Sequence, residues 1–225
     1  MIENAQKTTF EKPLVTVDIV VFTVRNNELQ ALLIKRKGEP FKNRWALPGG
    51  FVLHNESLED AAKRELAEET GVTDVYLEQL YTFGEPRRDP RGRIITVAYF
   101  ALIDSSKITL HATTDASDAT WLAVNSISAL AFDHNKILAY AIKRLRWKCE
   151  YTTAAFALLP EKFTLSHVQA LYEIIFSQKF DKRNFRKKIL SLGMLKKEEV
   201  QKGVSYRPPQ LYSLKKPIGD IVEIL

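Results

Sequence analysis

The sequence has little of the material from which disulfides and membrane spans are made. Its 225 residues include a single cysteine, Cys149, so no internal disulfide can form, and no metal-ligand spacing surrounds it. A buried or half-buried thiol is expected there in preference to a catalytic one. The apolar run Ile19–Val24 is far too short to cross a bilayer, and the first residues lack the features of a signal peptide. We therefore expect a cytoplasmic protein without membrane contact.

Excess charge of either sign is absent from the first two thirds of the chain. Residues 1–150 hold 20 Lys/Arg and 20 Asp/Glu, whereas residues 151–225 hold 13 Lys/Arg and 7 Asp/Glu. The whole net charge of +6 therefore lies in the last third. With 45% hydrophobic and 27% charged residues, the composition favours neither disorder nor a fibrous repeat. The asymmetry indicates a polyanionic partner for the C-terminal part alone.

The first part of the chain alternates strand and helix signals, which predicts an α/β sandwich. The expected strands are Leu14–Val24, Leu29–Lys35, Val75–Phe83, Ile94–Ile103 and Ala119–Val124. The expected helices are Ser57–Glu69, which Gly71 ends, and Lys136–Lys148. Pro48-Gly49-Gly50 breaks the pattern and is expected to form a loop.

The last third of the chain shows a different order of elements. Two short helical patterns, Leu165–Phe176 and Lys182–Leu192, precede two short extended pieces, Leu195–Lys197 and Leu211–Leu214. Helix, turn, helix and hairpin is the order of a winged helix-turn-helix domain. The less periodic stretch Glu150–Lys162 lies between the two parts. We therefore predict an N-terminal domain over residues 1–149 and a C-terminal domain over residues 150–225.

Three glutamates, Glu65, Glu68 and Glu69, fall on one side of the first helix, since spacings of three and four span an arc of roughly 100°. Like charges at these spacings destabilise a helix by about 0.2–0.5 kcal/mol per pair, and by more when partly desolvated. A divalent cation removes this repulsion, and hard carboxylate oxygens select Mg²⁺ or Mn²⁺. A solvated acidic face is the alternative, and the helix by itself does not decide between the two.

The residues around this helix favour the metal site. From Gly50 to Val72 the chain reads Gly-x5-Glu-x7-Arg-Glu-Leu-x-Glu-Glu-x-Gly-Val, which matches every position of the Nudix signature. Chance agreement somewhere in such a chain is on the order of 10⁻⁷ at average residue frequencies. The preceding Trp45-Ala46-Leu47-Pro48-Gly49-Gly50 is also similar to Nudix proteins. Residues 10–148 therefore resemble the Nudix superfamily.

This resemblance implies an α/β/α sandwich with a mixed sheet and a role for each residue of the box. The residues implied at the catalytic centre are Glu56, Arg64, Glu65, Glu68 and Glu69. Of these, the last three would ligate Mg²⁺ or Mn²⁺ together with the Gly50 carbonyl, and the first two would pair to hold the loop against the helix. Metal-bound water would attack one phosphorus of a diphosphate. The general base stays open, with Glu65 as a candidate.

Arginines near the box are the expected contacts for substrate phosphates. They are Arg36, Arg44, Arg87, Arg88 and Arg91. The last three lie in the proline-stiffened loop Glu85–Arg93, for which a surface turn with a structural Arg–Asp pair is the alternative. Pro86 lies near where many ADP-ribose-hydrolysing Nudix enzymes carry a proline, so this resemblance implies ADP-ribose as substrate, with AMP and ribose 5-phosphate as products. We expect His54 and His111 to be surface residues.

The helix expected at Lys182–Leu192 has an apolar stripe on one side and a cationic surface on the other. A recognition helix in the major groove of DNA needs this arrangement. The residues expected to contact DNA are Lys182, Arg183, Asn184, Arg186, Lys187 and, in the wing, Arg207. A basic helix that only docks on the first domain, or a module that only mediates dimerisation, is the alternative.

The stretches Phe163–Ser166, Phe185–Lys188 and Pro209–Tyr212 resemble the Nudix-related transcriptional regulators of NAD metabolism. These regulators usually bind a DNA operator as homodimers, and many have lost box glutamates that this sequence retains. Two compatible functions stay open. The first is a Mg²⁺-dependent hydrolase of ADP-ribose or a similar nucleoside diphosphate derivative. The second is a DNA-binding regulator of NAD or pentose metabolism that responds to ADP-ribose or to a sugar.

Overall fold

The structure is a computed structural model, and it describes residues 12–73, 75–104, 106, 116–201 and 208–225. The strands of the N-terminal part are β1 (Leu14–Arg25), β2 (Glu28–Arg36), β3 (Trp45–Ala46), β4 (Gly49–Phe51), β5 (Tyr76–Phe83), β6 (Ile94–Leu102) and β7 (Ala116–Ala123). Its helices are α1 (Leu58–Thr70) and α2 (His134–Tyr151). None of the helices in the described ranges is both long enough and apolar enough to cross a membrane.

The seven strands form one mixed sheet in the order β3-β2-β1-β6-β5, with β4 paired to β1 and β7 paired to β2. Strand β1 runs parallel to β6 and antiparallel to β2 and β4. Because successive side chains of a strand point to opposite faces, Val17, Ile19 and Val21 pack with α1, whereas Val20 and Phe22 pack in the cluster that contains α2. The sheet is therefore covered on both faces, which confirms the α/β/α sandwich.

Helix α1 begins and ends at the residues that its sequence predicts. The Ser57 side chain accepts a hydrogen bond from the Asp60 amide at 3.1 Å and so caps the N-terminus. Gly71 adopts a left-handed conformation with φ 73° and donates its amide to the Ala67 carbonyl. Leu66 is buried against the sheet, and Glu65 and Glu69 lie on the side of the helix that faces Gly49 and Gly50.

The C-terminal part consists of two helices and a hairpin: α3 (Leu165–Phe176), α4 (Lys182–Ser191), β8 (Leu195–Val200) and β9 (Gln210–Leu214). Thr164 caps α3, and the Asp181 side chain caps α4 by accepting from the Asn184 amide at 2.8 Å. Phe163 and Tyr212 form a β-bridge that joins the start of α3 to the hairpin. This arrangement is the predicted winged helix. Residues 202–207 of the wing lie outside the described residues.

Helix α2 joins the two parts, because it packs in both. One continuous hydrophobic cluster contains Phe22 and Leu33 of the sheet, Leu145 of α2, and Leu171 and Phe185 of the winged helix. The described contacts therefore give the two parts a shared core. The boundary predicted between residues 149 and 150 lies inside α2, and it stays a prediction.

The structure differs from the sequence expectation in three places. Gly49 and Gly50, expected in a loop, belong to β4, because their backbones pair with Asp18 and Val17 of β1. Trp45–Ala46 forms a short strand that was not expected. The less periodic stretch Glu150–Lys162 contains a 3-10 helix, Thr153–Leu158, which packs in the shared core.

Cys149 is fully buried in the shared core, and burial raises the pKa of its thiol. The position agrees with the structural role expected for this cysteine. The backbone carbonyl of Cys149 would accept from the Thr153 amide if the helix continued. That amide donates to the Asp220 carbonyl instead. The Tyr172 hydroxyl of α3 donates to the Cys149 carbonyl at 3.1 Å. The hydrogen bond therefore fastens α3 to the end of α2.

Replacing Tyr172 with phenylalanine removes this hydrogen bond and leaves a buried carbonyl without a donor. We expect Tyr172→Phe to lower the free energy of unfolding by about 1–3 kcal/mol. Urea denaturation checks this value. Tyr81→Phe is the matched control, because Tyr81 is 53% exposed and its loss should change stability by less than about 0.5 kcal/mol. Equal effects of the two substitutions would contradict the assigned role of Tyr172.

Candidate functional site

A cavity of about 580 Å³ opens between β4, the Glu65 and Glu69 side of α1 and the loop after β5. Its lining includes residues predicted to bind metal or substrate: Arg36, Gly50, Glu65, Glu69, Arg88 and Arg91. The cavity therefore combines carboxylates with guanidinium groups. Arg44 and Arg87 are exposed and lie outside its lining. Arg87 instead borders a neighbouring recess, together with Lys136.

Strand β4 approaches α1 closely because two glycines lie at the contact. Glu69 is buried and accepts a hydrogen bond from the Gly49 amide at 2.8 Å. Gly49 has φ 152°, a conformation that residues with a side chain rarely adopt, and a Cβ there would overlap the backbone of β1. A Cβ at Gly50 would overlap the carboxylate of Glu65. The Gly-Gly pair thus lets both glutamates reach the cavity wall.

Arg64 ties the loop before α1 to the helix. Its guanidinium donates to both oxygens of Glu56, at 2.7 and 2.9 Å, and to the Phe51 carbonyl at 3.1 Å. These bonds to Arg64, with one from the Leu53 amide, lower the pKa of Glu56 to about 2. The pair predicted to hold loop against helix is therefore formed in the structure, with Glu56 ionised at neutral pH.

The remaining nitrogen of the same guanidinium binds two of the predicted metal ligands. Arg64 donates to Glu65 at 2.8 Å and to Glu68 at 3.0 Å. The Glu68 side chain is 52% exposed and lies outside the cavity lining. Within the described ranges, no three His, Cys, Asp or Glu side chains are gathered as a metal site. Two of the three predicted ligands, Glu65 and Glu69, thus face the cavity, and the third is held aside by Arg64.

The environment of Glu65 nevertheless suits a cation. Burial raises the pKa of its carboxyl group, and the hydrogen bond from Arg64 only partly offsets this effect. A half-buried carboxylate next to a second one, Glu69, is stabilised by a hard divalent ion. The residues present therefore fit the metal that the signature implies, provided that Glu68 turns away from Arg64.

Two guanidinium groups of the cavity lining are stacked on aromatic rings. Arg91 lies over Phe51 at 4.9 Å and over Phe132 at 5.2 Å, and Arg36 lies over Phe132 at 4.8 Å. Arg91 also forms an ion pair with Asp89 at 2.7 Å. Burial and the neighbouring Arg91 lower the pKa of Arg36, and the nearby carboxylates Glu69, Asp89 and Asp18 only partly offset this effect. An anionic ligand would relieve this repulsion.

Arg88, expected to contact phosphate directly, is instead committed to a buried ion network. Its side chain is 3% exposed and lies 3.1 Å from Asp18 and 2.7 Å from Asp133. His134 adds to the network through its Nε2 atom, 3.4 Å from Asp18, while its Nδ1 atom accepts from the Leu47 amide. Burial lowers the pKa of His134, so the imidazole is neutral. The network fixes the cavity floor to the start of α2.

The predicted nucleic-acid surface lies on α4. Phe185 and Ile189 face the shared core, and the predicted contact residues Lys182, Arg183, Asn184 and Lys187 are exposed. Arg186 differs, because it is half-buried and donates to the Ser166 hydroxyl at 2.8 Å. This bond holds Arg186 against the N-terminus of α3. Arg207 lies outside the described residues.

Comparison with known proteins identifies the family. The model of the NUDIX domain matches residues 14–145, which is more than half of the chain. This chain belongs to the Nudix family. The model of the NrtR DNA-binding winged helix domain matches residues 155–214. The Nudix domain is therefore joined to a winged helix of the NrtR type.

Individual relatives agree with this combination. The chain is 39% identical over 211 residues to the ADPR responsive transcriptional repressor NtrR of Acinetobacter baylyi, covering 92% of this chain and 84% of that protein. It is 40% identical over 136 residues to the ADP-ribose pyrophosphatase of Methanocaldococcus jannaschii, covering 60% and 75%. Shewanella oneidensis NrtR, complexed with a 27mer DNA, superposes with a TM-score of 0.77 at 34% identity, covering 89% of this chain and 93% of that chain.

Asp18, Phe132 and His134 are among the cavity residues that sequence reasoning missed. Asp18 interrupts the apolar strand β1, and such a lone acidic residue in a buried strand is a usable signal. Phe132 and His134 carry no comparable signal, because nothing in their neighbourhood shows that the start of α2 closes the cavity. Phe132 has φ 51°, which is rare for an aromatic residue and marks a position held by its surroundings.

The buried network predicts a large difference between two adjacent arginines. Arg88→Met leaves Asp18 and Asp133 without their guanidinium partner, so we expect it to lower the free energy of unfolding by about 3–5 kcal/mol. Arg87→Met, at an exposed position, should change it by less than about 0.5 kcal/mol. Chemical denaturation of both variants measures the difference. A stability loss in Arg88→Met as small as that of its neighbour would show that the network is not formed.

Proposed function

We propose that this chain is a DNA-binding transcriptional regulator that binds ADP-ribose in its Nudix cavity. The relative that matches 92% of the chain is named for an ADPR response and for repression. The observation that carries the proposal is the presence, in one chain, of a charged ligand cavity and an exposed basic helix, joined by α2. The confinement of the net charge of +6 to residues 151–225 supports DNA as the partner of that helix.

The charged lining of the cavity suits a diphosphate. Arg36 and Arg91 are held by aromatic rings and can donate to phosphate oxygens without first being ordered. In the same cavity, Glu65 and Glu69 would hold Mg²⁺ or Mn²⁺, together with Glu68 and the Gly50 carbonyl. When bound, the metal supplies charge neutralisation for the phosphates and lowers the pKa of a coordinated water. Arg88 would act by fixing the cavity floor instead of contacting phosphate.

Hydrolysis of the same ligand is a second proposed activity, because the Nudix box is complete. Water would add to one phosphorus, and the bond from that phosphorus to the bridging oxygen would break. ADP-ribose would then give AMP and ribose 5-phosphate. Arg64 would keep Glu56 and the loop in place during the reaction. Hydrolysis and sensing are compatible, because turnover removes the effector from the cavity.

The winged helix would read DNA with α4 in the major groove. Lys182, Arg183, Asn184 and Lys187 form the exposed side of this helix, and their donors suit phosphates and base edges. Arg186 would support the surface through its bond to Ser166. We further propose a homodimer in the cytoplasm, since two winged helices related by a two-fold axis match a palindromic operator.

Hydrolysis depends on the carboxylate charge of Glu69. We expect Glu69→Gln to abolish release of AMP from ADP-ribose with Mg²⁺. The folding free energy should stay within about 1 kcal/mol, because glutamine can still accept from the Gly49 amide. Chromatographic product analysis measures turnover. Glu59→Gln is the control, since Glu59 lies on the same helix but is exposed and paired with Lys63. Undiminished turnover in Glu69→Gln would overturn the metal assignment.

DNA binding depends on the exposed cations of α4. We expect Arg183→Ala to weaken binding to a duplex from upstream of the protein's own gene about tenfold. The slope of log K against log salt concentration should become shallower by about one, because one phosphate contact is lost. Fluorescence anisotropy at several salt concentrations measures both. Arg25→Ala removes the same charge from an exposed position of the Nudix domain and should leave DNA affinity unchanged. Equal behaviour of the two variants would place the DNA-binding surface elsewhere.

A further inference from the structure

The last nine residues, 217–225, follow the winged helix and lie outside both matched family ranges. They do not extend away from the protein. Before them, the Lys215 amide donates to the Met194 carbonyl at the start of the hairpin. The chain then returns to the end of α2, where the winged helix meets the Nudix domain.

Backbone hydrogen bonds attach this segment to the last turn of α2. The Val222 amide donates to the Tyr151 carbonyl at 2.9 Å, and the Ile224 amide donates to the Glu150 carbonyl at 2.7 Å. Carbonyls in the last turn of a helix have no partner within the helix. Residues 217–225 therefore supply donors that the end of α2 lacks.

Thr153, the first residue of the 3-10 helix, forms a second attachment. Its amide donates to the Asp220 carbonyl at 2.9 Å, and its hydroxyl donates to the Pro217 carbonyl at 2.8 Å. The same hydroxyl accepts from the Asp220 amide at 3.0 Å. Thr153 is fully buried, and its three bonds fix residues 217–220 at the junction.

Side-chain packing forms the third attachment. Ile224 is fully buried in the shared core, with Leu145 of α2 and Tyr172 of α3. Gly219 has φ 89°, and a Cβ there would lie 3.0 Å from the Tyr76 ring of β5. The segment thus contacts β5 and the end of α2, and Ile224 belongs to the core that the winged helix shares. Ile221, by contrast, is 77% exposed.

Helix α2 itself connects the ligand cavity, at its start, to the segment 217–225, at its end. Asp133 and His134, at the start of the helix, belong to the ion network under the cavity. Eighteen residues later, the helix ends against the segment 217–225. A displacement at the cavity floor can therefore reach the winged helix through one rigid element, if the far end of that element is held.

We propose that residues 217–225 are an interdomain brace that makes DNA binding respond to the ligand in the Nudix cavity. The brace holds the winged helix on α2 and β5, so that the ligand-bound and ligand-free forms of the Nudix domain impose different positions on α4. Without it, each domain keeps its own binding site, but the two sites no longer influence each other. This inference rests on the proposed function.

The test compares two isoleucines of the same segment, Ile224→Ala and Ile221→Ala. For each full-length variant and the wild type, three dissociation constants are measured in EDTA, so that ADP-ribose is not hydrolysed. They are the constants for ADP-ribose alone, for the upstream duplex alone, and for the duplex with saturating ADP-ribose. The coupling ratio is the third constant divided by the second. Circular dichroism establishes that each variant is folded.

We expect wild type and Ile221→Ala to have the same coupling ratio, which should differ from one by a factor of at least five. Ile224→Ala should keep the two single-ligand constants within about threefold of wild type, with a ratio close to one. Thr153→Val preserves side-chain volume and removes the hydroxyl bonds to residues 217 and 220, so it gives the same test if Ile224→Ala does not fold.

A folded Ile224→Ala or Thr153→Val variant with the wild-type coupling ratio would overturn the brace and leave the proposed function intact. A wild-type ratio of one would overturn the proposed function, and the brace with it. Loss of DNA affinity in the absence of ADP-ribose would also overturn the inference, because the segment would then be part of the DNA-binding domain itself.

Discussion

The structure depends on the burial of α2 between two sets of partners. The apolar side chains on one face of the sheet have to be covered. The apolar side chains of the two short helices in the winged helix also pack against a further element. Helix α2 meets both needs in one hydrophobic cluster. Its two ends therefore occupy fixed places, one in the ion network below the cavity and the other against the brace. The same constraint that stabilises the fold connects the cavity with α4.

The cavity itself depends on close approach between backbone and carboxylates. Two glycines at the start of the box let β4 pair with β1 and lie against α1. Arg64 then holds the loop between β4 and α1 against the helix. Aromatic rings order Arg36 and Arg91. Much of the cavity is thus preorganised, and the exposed Glu68 is the box carboxylate that would have to leave Arg64 for all three glutamates to hold a metal.

Much of the fold could be predicted from sequence, because periodicity and capping residues act locally. Gly71 ends α1 and α4 begins at Lys182, both as expected, and the Nudix signature predicts that α1 lies against its loop. What could not be predicted arises from contacts between residues distant in sequence. The sequence predicts Arg88 as a phosphate contact, because nothing local shows that the fold brings Asp18 and Asp133 beside it. Likewise, nothing local shows that residues 217–225 return to α2.

The proposed coupling between the cavity and α4 runs through α2, and thermodynamic linkage tests this coupling directly. The dissociation constant of ADP-ribose is measured by calorimetry in EDTA, with and without a saturating duplex from upstream of the gene. The predicted result is a change in ADP-ribose affinity by the same factor, at least fivefold, by which ADP-ribose changes DNA affinity. An ADP-ribose affinity that is identical in the presence and absence of bound DNA would contradict the account.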